Sequence, residues 1–222
     1  MGQLSFFSAD AHPRALTDLE GVLCAPARLS FFGARSAARL TVPLGVGSGA
    51  AEPDALRAWR AHALRCAFRA RGVEADVVDV PVLPGIGEND GPDAGGEPAT
   101  RPELRSAFRR DLAALARSWG PDPSGAARTL PPGFELDGPR LRLWVLAAGR
   151  REGRAYVLGL DPGVPATHGV LLAPGRPAGL AAEPDDDPEA PGLRIGRVRA
   201  KARLAELVGA RPRSVHDGVW PV

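Results

Sequence analysis

Apolar residues follow two different periods along the chain, and the change between them predicts its elements. From Ala15 to Ala25, Leu16, Leu19, Val22 and Leu23 recur at helical spacing. The segments "RLSFF" and "ARLTVPL" read as strands around the turn "GARSA", with Pro43 placing the second strand at an edge or at its end. "PDALRAWRAHALRCAFRARG" has Pro53 at its start and Gly72 as its stop, which predicts a helix. "VEADVVDV" predicts a strand, and "RPELRSAFRRDLAALARSW" a further helix. In the second half, a helix is predicted from Pro139 to Ala148 and a strand from Arg154 to Leu160. A helix broken by Pro174 and Pro177 comes next, then the strand "LRIGRV" and a final helix closed by Gly209.

The two halves run through helices and strands in a similar order. "LEGVLCAPARL" aligns loosely with "LWVLAAGR", and "RRDLAALARSW" with "KARLAELVG". An internal duplication is therefore one reading, and ordinary alternation of helices and strands is the other. The division expected is a first half at 1–132, with an insert at 81–99, and a second half at 133–222, with an acidic loop at 183–191.

Composition adds to this picture in three places. Gly and Pro contribute 27 and 23 residues, which implies long connections. Aromatics make up only 5 %, so Ala, Leu and Val must do most of the packing. Of the 28 basic residues all but Lys201 are arginine, yet the net charge is only +2, so no global basic field exists. Charge is instead segregated. Acids alone occupy the stretch from Glu74 to Glu97, and bases dominate from Leu193 to Arg213. Cys24 and Cys66 make no disulfide framework. The start lacks the regions of a signal peptide, and no apolar run reaches membrane-spanning length, so a cytoplasmic protein with no membrane partner is expected.

"LRLWVLAAG", Leu141 to Gly149, resembles the helix that names the LAGLIDADG homing endonucleases. Leu141, Ala147 and Gly149 fall on that motif's first, seventh and ninth places. "LEGVLCAPA", Leu19 to Ala27, agrees with it at Leu19, Gly21 and Ala25. The chain is also similar to the amino-terminal part of WhiA, a bacterial transcription factor with a degenerate version of the fold. The resemblance implies an α+β protein of two pseudo-symmetric αββαβα halves with mixed or antiparallel sheets. Its motif helices would pack together through small residues, and its sheets would lie over duplex DNA. The family's nuclease sets one metal-binding carboxylate at the end of each motif helix. Here those places hold Pro26 and Ala148, which offer no oxygen ligand. The expectation is therefore a non-catalytic, regulatory nucleic-acid-binding protein with no metal and no cofactor.

The residues expected to bind nucleic acid are Arg28, Arg39, Arg154 and Arg194 on or beside strands, Tyr156 on the face of Arg154, and Arg197, Arg199 and Lys201 leading into the last helix. Arginine suits this task because its planar fork gives paired hydrogen bonds to phosphate and guanine. A solvated arginine-rich surface is the competing reading. Two other functions remain open. One is a protein-protein interaction module on the same scaffold. The other is a nucleotide- or S-adenosylmethionine-binding enzyme using Gly45, Gly47 and Ala50, which satisfy G-x-G-x-x-G/A, with Asp76 and Asp79 on the next strand. His62 and Cys66 share a helix face, but a packed cysteine is a commoner outcome than a zinc site with Cys24.

Overall fold

The computed structural model describes residues 5–45, 52–82, 100–120, 128–172, 180–185, 187, 190–213, 216 and 219–221. The Gly47 to Ala50 part of the glycine-rich loop and most of the 81–99 insert lie outside the described residues, as do parts of the acidic loop at 183–191.

After a short 3₁₀ turn at Ala9–Ala11, the first half's principal 3₁₀ helix spans Leu16–Cys24. It leads into β1 (Arg28–Phe32) and β2 (Ala37–Pro43), then α1 (Asp54–Arg69), β3 (Ala75–Pro81), β4 (Thr100–Ser106) and α2 (Leu112–Ser118). The second half carries α3 (Gly138–Ala148), β5 (Gly149–Glu152), β6 (Ala155–Gly159), α4 (Pro165–Leu172), β7 (Glu183–Asp185), β8 (Gly192–Ile195) and α5 (Val198–Val208). The sequence helix, two strands, helix, two strands, helix thus occurs twice. Each half builds one four-stranded antiparallel sheet, in the orders β1-β2-β4-β3 and β5-β6-β8-β7, so equivalent strands occupy equivalent places. The fold is α+β.

Several expectations need correction. Each half contains four strands where αββαβα predicts three; of the mixed or antiparallel pairing expected, every described pair is antiparallel. The helix expected over "RPELRSAFRRDLAALARSW" starts only at Leu112, because Arg101, Glu103 and Arg105 take one face of strand β4 and Pro102 and Leu104 the other. β5 starts directly at Gly149, with no turn between helix and strand to reveal it. The first motif segment is 3₁₀ rather than α-helical.

Helix α3 has the local signals that its position requires. Asp137 caps it by accepting the Arg140 N–H at 2.9 Å, and Pro139 stands in its first turn. Almost all of its residues are buried, including Leu141, Leu143, Trp144 and Val145, so it is central rather than amphipathic. It packs on the 3₁₀ helix, on α1 and on α5. At the first of these contacts, a Cβ on Gly21 would overlap the Arg140 carbonyl, so only glycine permits the approach. A single apolar cluster runs from Leu19 and Leu40 through Leu104, Trp119 and Trp144 to Leu193 and Leu204, joining the inner faces of both sheets to the helices. Among the described residues, no helix is long and apolar enough to cross a membrane.

Candidate nucleic-acid interface

Strand register assigns every side chain of the first sheet to a face, since residues directly opposite one another share a side. Arg28 pairs with Thr41, Thr41 with Arg105 and Arg105 with Asp76. Ser30 pairs with Arg39, and Glu103 stands between Pro43 and Val78. Val80 pairs with Arg101. The helices pack on the other side, where Leu29, Leu40, Val42 and Leu104 lie. Arg28, Arg39, Arg101 and Arg105 are consequently side by side on the outer face, with only Glu103 and Asp76 as counter-charges on the strands.

Glu103 organises this face. Its side chain is 0 % exposed beneath three arginines. Arg101 donates to Oε1 at 2.9 Å, Arg105 donates to Oε2 through Nε at 3.0 Å and Nη2 at 2.8 Å, and Arg28 donates to Oε1 from the neighbouring edge. Burial works to raise the Glu103 carboxyl, but the hydrogen bonds from Arg105 and Arg101 and the charge of Arg28 together hold it below the ordinary carboxylate value. One negative charge therefore orients three positive ones.

Arg39 is held differently. Its guanidinium lies 4.1 Å from the centroid of the Phe108 ring. Phe108 in turn packs against Phe32, with centroids 5.2 Å apart and planes tilted by 36°. Phe32 is 64 % exposed and Phe108 37 % exposed. This arrangement holds Phe108 between Arg39 and Phe32 and leaves Phe32 the more open ring beside the arginine array.

The outer face of the second sheet is more acidic. Arg150 and Arg194 share it with Glu152, Glu183 and Asp185. Arg194 donates to Glu152 at 2.6 Å and to Asp185 at 3.1 Å, and Arg150 donates to Glu152 at 2.6 Å. Burial tends to raise the Glu152 carboxyl, but the bonds and charges of Arg150 and Arg194 lower it overall.

The remaining residues expected to contact nucleic acid are dispersed. Arg154 occupies the turn between β5 and β6, and its carbonyl accepts from Lys201 Nζ at 2.5 Å. With Arg151, these two border a shallow cavity of about 370 Å³. Arg197 caps α5 and Arg199 stands in its first turn, both exposed. Tyr156 must be withdrawn as a contact residue. It is 1 % exposed, and its hydroxyl donates to the Val219 carbonyl at 2.5 Å. Tyr156 falls on the inward side of β6, opposite Arg151 and Ile195, while Arg154 precedes the strand. Burial raises its phenol above the ordinary value.

Sequence reasoning missed Arg101 and Arg105. The alternation of Arg101, Glu103 and Arg105 with Pro102 and Leu104 is a period-two signal that could have found them.

The two ends of the motif segments are each met by a guanidinium. Arg60, from α1, is buried with 4 % of its surface exposed. It donates to the Leu146 carbonyl at 2.7 Å and the Gly149 carbonyl at 3.1 Å, where α3 ends, and is paired with Glu52 at 2.9 Å. A cation here complements the negative end of the helix. Arg128 likewise donates to the Ala27 carbonyl, just past the 3₁₀ helix, and pairs with Asp161. Tyr156 closes the α3 corner from the other side, since a Cβ on Gly149 would crowd its hydroxyl and the Val145 carbonyl.

Cys24 is buried, and its thiol lies 3.8 Å from the Glu20 carbonyl; burial pushes that thiol well above its ordinary value. His62 and Cys66 approach to 3.6 Å on the exposed face of α1. Among the described residues, no group of three or more His, Cys, Asp or Glu side chains is arranged to hold a metal ion. No family model matches the chain, and no curated protein matches it.

Proposed function

We propose that the chain binds nucleic acid without cleaving it, through the outer face of its first sheet, on a doubled αββαββα scaffold of the LAGLIDADG kind. The observation that carries this reading is the juxtaposition of Arg28, Arg39, Arg101 and Arg105 with the exposed rings of Phe32 and Phe108. Guanidinium forks meet phosphate oxygens, and exposed aromatic faces are surfaces on which bases stack.

The repeated order of elements, the matching strand orders and the Gly21–Arg140 contact support the scaffold. The guanidiniums of Arg60 and Arg128 support the loss of metal chemistry, because each corner carbonyl set is already satisfied by an arginine whose charge is paired with Glu52 or Asp161. The nucleotide-enzyme reading is weakened by the antiparallel pairing of every strand, since dinucleotide sites lie at the ends of parallel strands.

Fluorescence anisotropy with duplex DNA at two salt concentrations tests the proposal. Replacing Arg39 and Arg105 together by alanine should weaken binding about tenfold or more and reduce the salt slope by roughly 1–2. Unchanged affinity and slope in that variant would remove this face from consideration. Absence of binding at low salt would favour the interaction-module reading.

A further inference from the structure

A separate cleft lies among α1, α3 and the two terminal segments, with a volume of about 360 Å³. Arg14, Arg71, Arg142 and Arg213 line it together with Asp10 and His62, and Trp59 and Ala63 provide part of an apolar wall. Two carboxylates are near enough to offset this charge, and both are engaged. Asp18 is buried, takes Arg71 Nε at 2.9 Å and Nη2 at 2.8 Å, and accepts the Ala15 N–H at 3.1 Å. Asp10 accepts the Ala210 N–H at 2.5 Å and stands 3.9 Å from Arg142.

The inner two arginines are fixed in place. Arg71 donates to the Ala67 carbonyl at 2.9 Å, and Arg142 donates to the Val208 and Ala210 carbonyls at 2.6 and 2.8 Å while lying over Trp220. Arg14 and Arg213 are exposed at the mouth, and among the described residues neither has a salt-bridge partner. Burial lowers the proton affinity of Arg71 and Arg142. The opposing pull of Asp18 and Asp10 is partly undone by repulsion from Arg14. Positive charge is thus concentrated in a half-enclosed space with too few anions beside it.

We propose that this cleft binds a small organic phosphate with a planar apolar body, the oxyanion held by Arg14 and Arg213 at the mouth and the body resting against Trp59. Phosphate matches the geometry because its oxygens take paired hydrogen bonds from planar guanidiniums. The apolar wall requires more than inorganic phosphate, and the enclosed volume excludes a polymer.

Titration of the full chain with phenyl phosphate, followed by tryptophan fluorescence and thermal melting, tests the inference. Trp119 and Trp144 are buried away from the cleft and Trp220 lies beneath Arg142, so Trp59 is the indole that meets a ligand directly. Phenyl phosphate should quench saturably with a Kd below about 1 mM and raise the melting temperature. Phenol and inorganic phosphate should each bind at least about tenfold more weakly. The Arg14→Ala/Arg213→Ala variant alters only exposed side chains, so it should stay folded, and it should lose about tenfold or more in affinity. The Trp59→Phe variant should lose the quench. Saturating duplex DNA should leave the titration unchanged, which separates this cleft from the sheet. Three results would overturn the site: no saturable quench, equal binding of inorganic and phenyl phosphate, or full affinity in the double arginine variant.

Discussion

Gly21 lies against the Arg140 carbonyl so closely that one methyl group would overlap it, and this approach joins the 3₁₀ helix to α3. The contact is reinforced by the Arg140 side chain, whose Nε donates to Glu20 at 2.8 Å, with Nη2 also 2.8 Å from that carboxylate, and whose Nη1 donates to Asp137 at 2.5 Å. Backbone proximity and a charge-assisted bond therefore coincide at one point between the halves. The Gly21→Ala variant should lose about 3 kcal/mol or more, because the intruding atom is backbone and cannot swing aside. Urea unfolding would measure this, and a loss under 1 kcal/mol would mean that the helices separate cheaply.

Arg60 offers a second test at the end of α3. Arg60→Ala leaves Glu52 buried without its partner and removes the donor to Leu146 and Gly149. The expected loss is about 3–5 kcal/mol, as for other broken buried pairs. The double variant Arg60→Met/Glu52→Met should recover part of that loss, since no uncompensated charge remains. Chemical denaturation of the single and double variants would separate the two contributions.

The carboxyl of Glu103 makes stability depend on pH in a defined direction. Its folded value is depressed below its unfolded one. The corresponding stabilisation is therefore complete above the unfolded value, about 4.3, and is lost as pH falls through the folded value. Glu103→Gln should destabilise the protein by about 1–3 kcal/mol at neutral pH and flatten the acid side of its stability curve. Denaturation midpoints collected from about pH 6 down to about pH 3 would check both the offset and the slope.

The hairpin between β1 and β2 should tolerate, and gain from, one change. Ala34 and Arg35 have φ of 51° and 64°, a left-handed region costly for side chains. Ala34 is exposed, so replacing it by glycine relieves backbone strain without loss of packing. A gain of about 0.5–1 kcal/mol is expected from thermal melting of Ala34→Gly.

The elements most easily read from the sequence were those with strong local signals. Asp137, Pro139 and the apolar run from Leu141 to Ala148 mark α3 without help from the rest of the chain. β4 was concealed because Arg101, Leu104 and Arg105 also suit a helix, and only pairing with β2 and β3 decides between the two. The same ambiguity hides half of the arginine array, since Arg101 and Arg105 become neighbours of Arg28 and Arg39 only in the sheet. Tyr156 and Arg154 do not share an exposed face because the strand begins at Ala155, so the alternation linking the two residues does not apply. The buried role of Glu103 was illegible for a related reason. A single acid among arginines looks like surface charge until three long side chains are seen to cover it.

The convergence of Arg28, Arg101 and Arg105 on Glu103 also bears on recognition. Long side chains normally surrender rotational freedom when a partner arrives, and that entropy subtracts from affinity. Here much of it is given up during folding, so under the proposed nucleic-acid reading a polyanion would meet preorganised donors, and rigidity as well as charge would favour association.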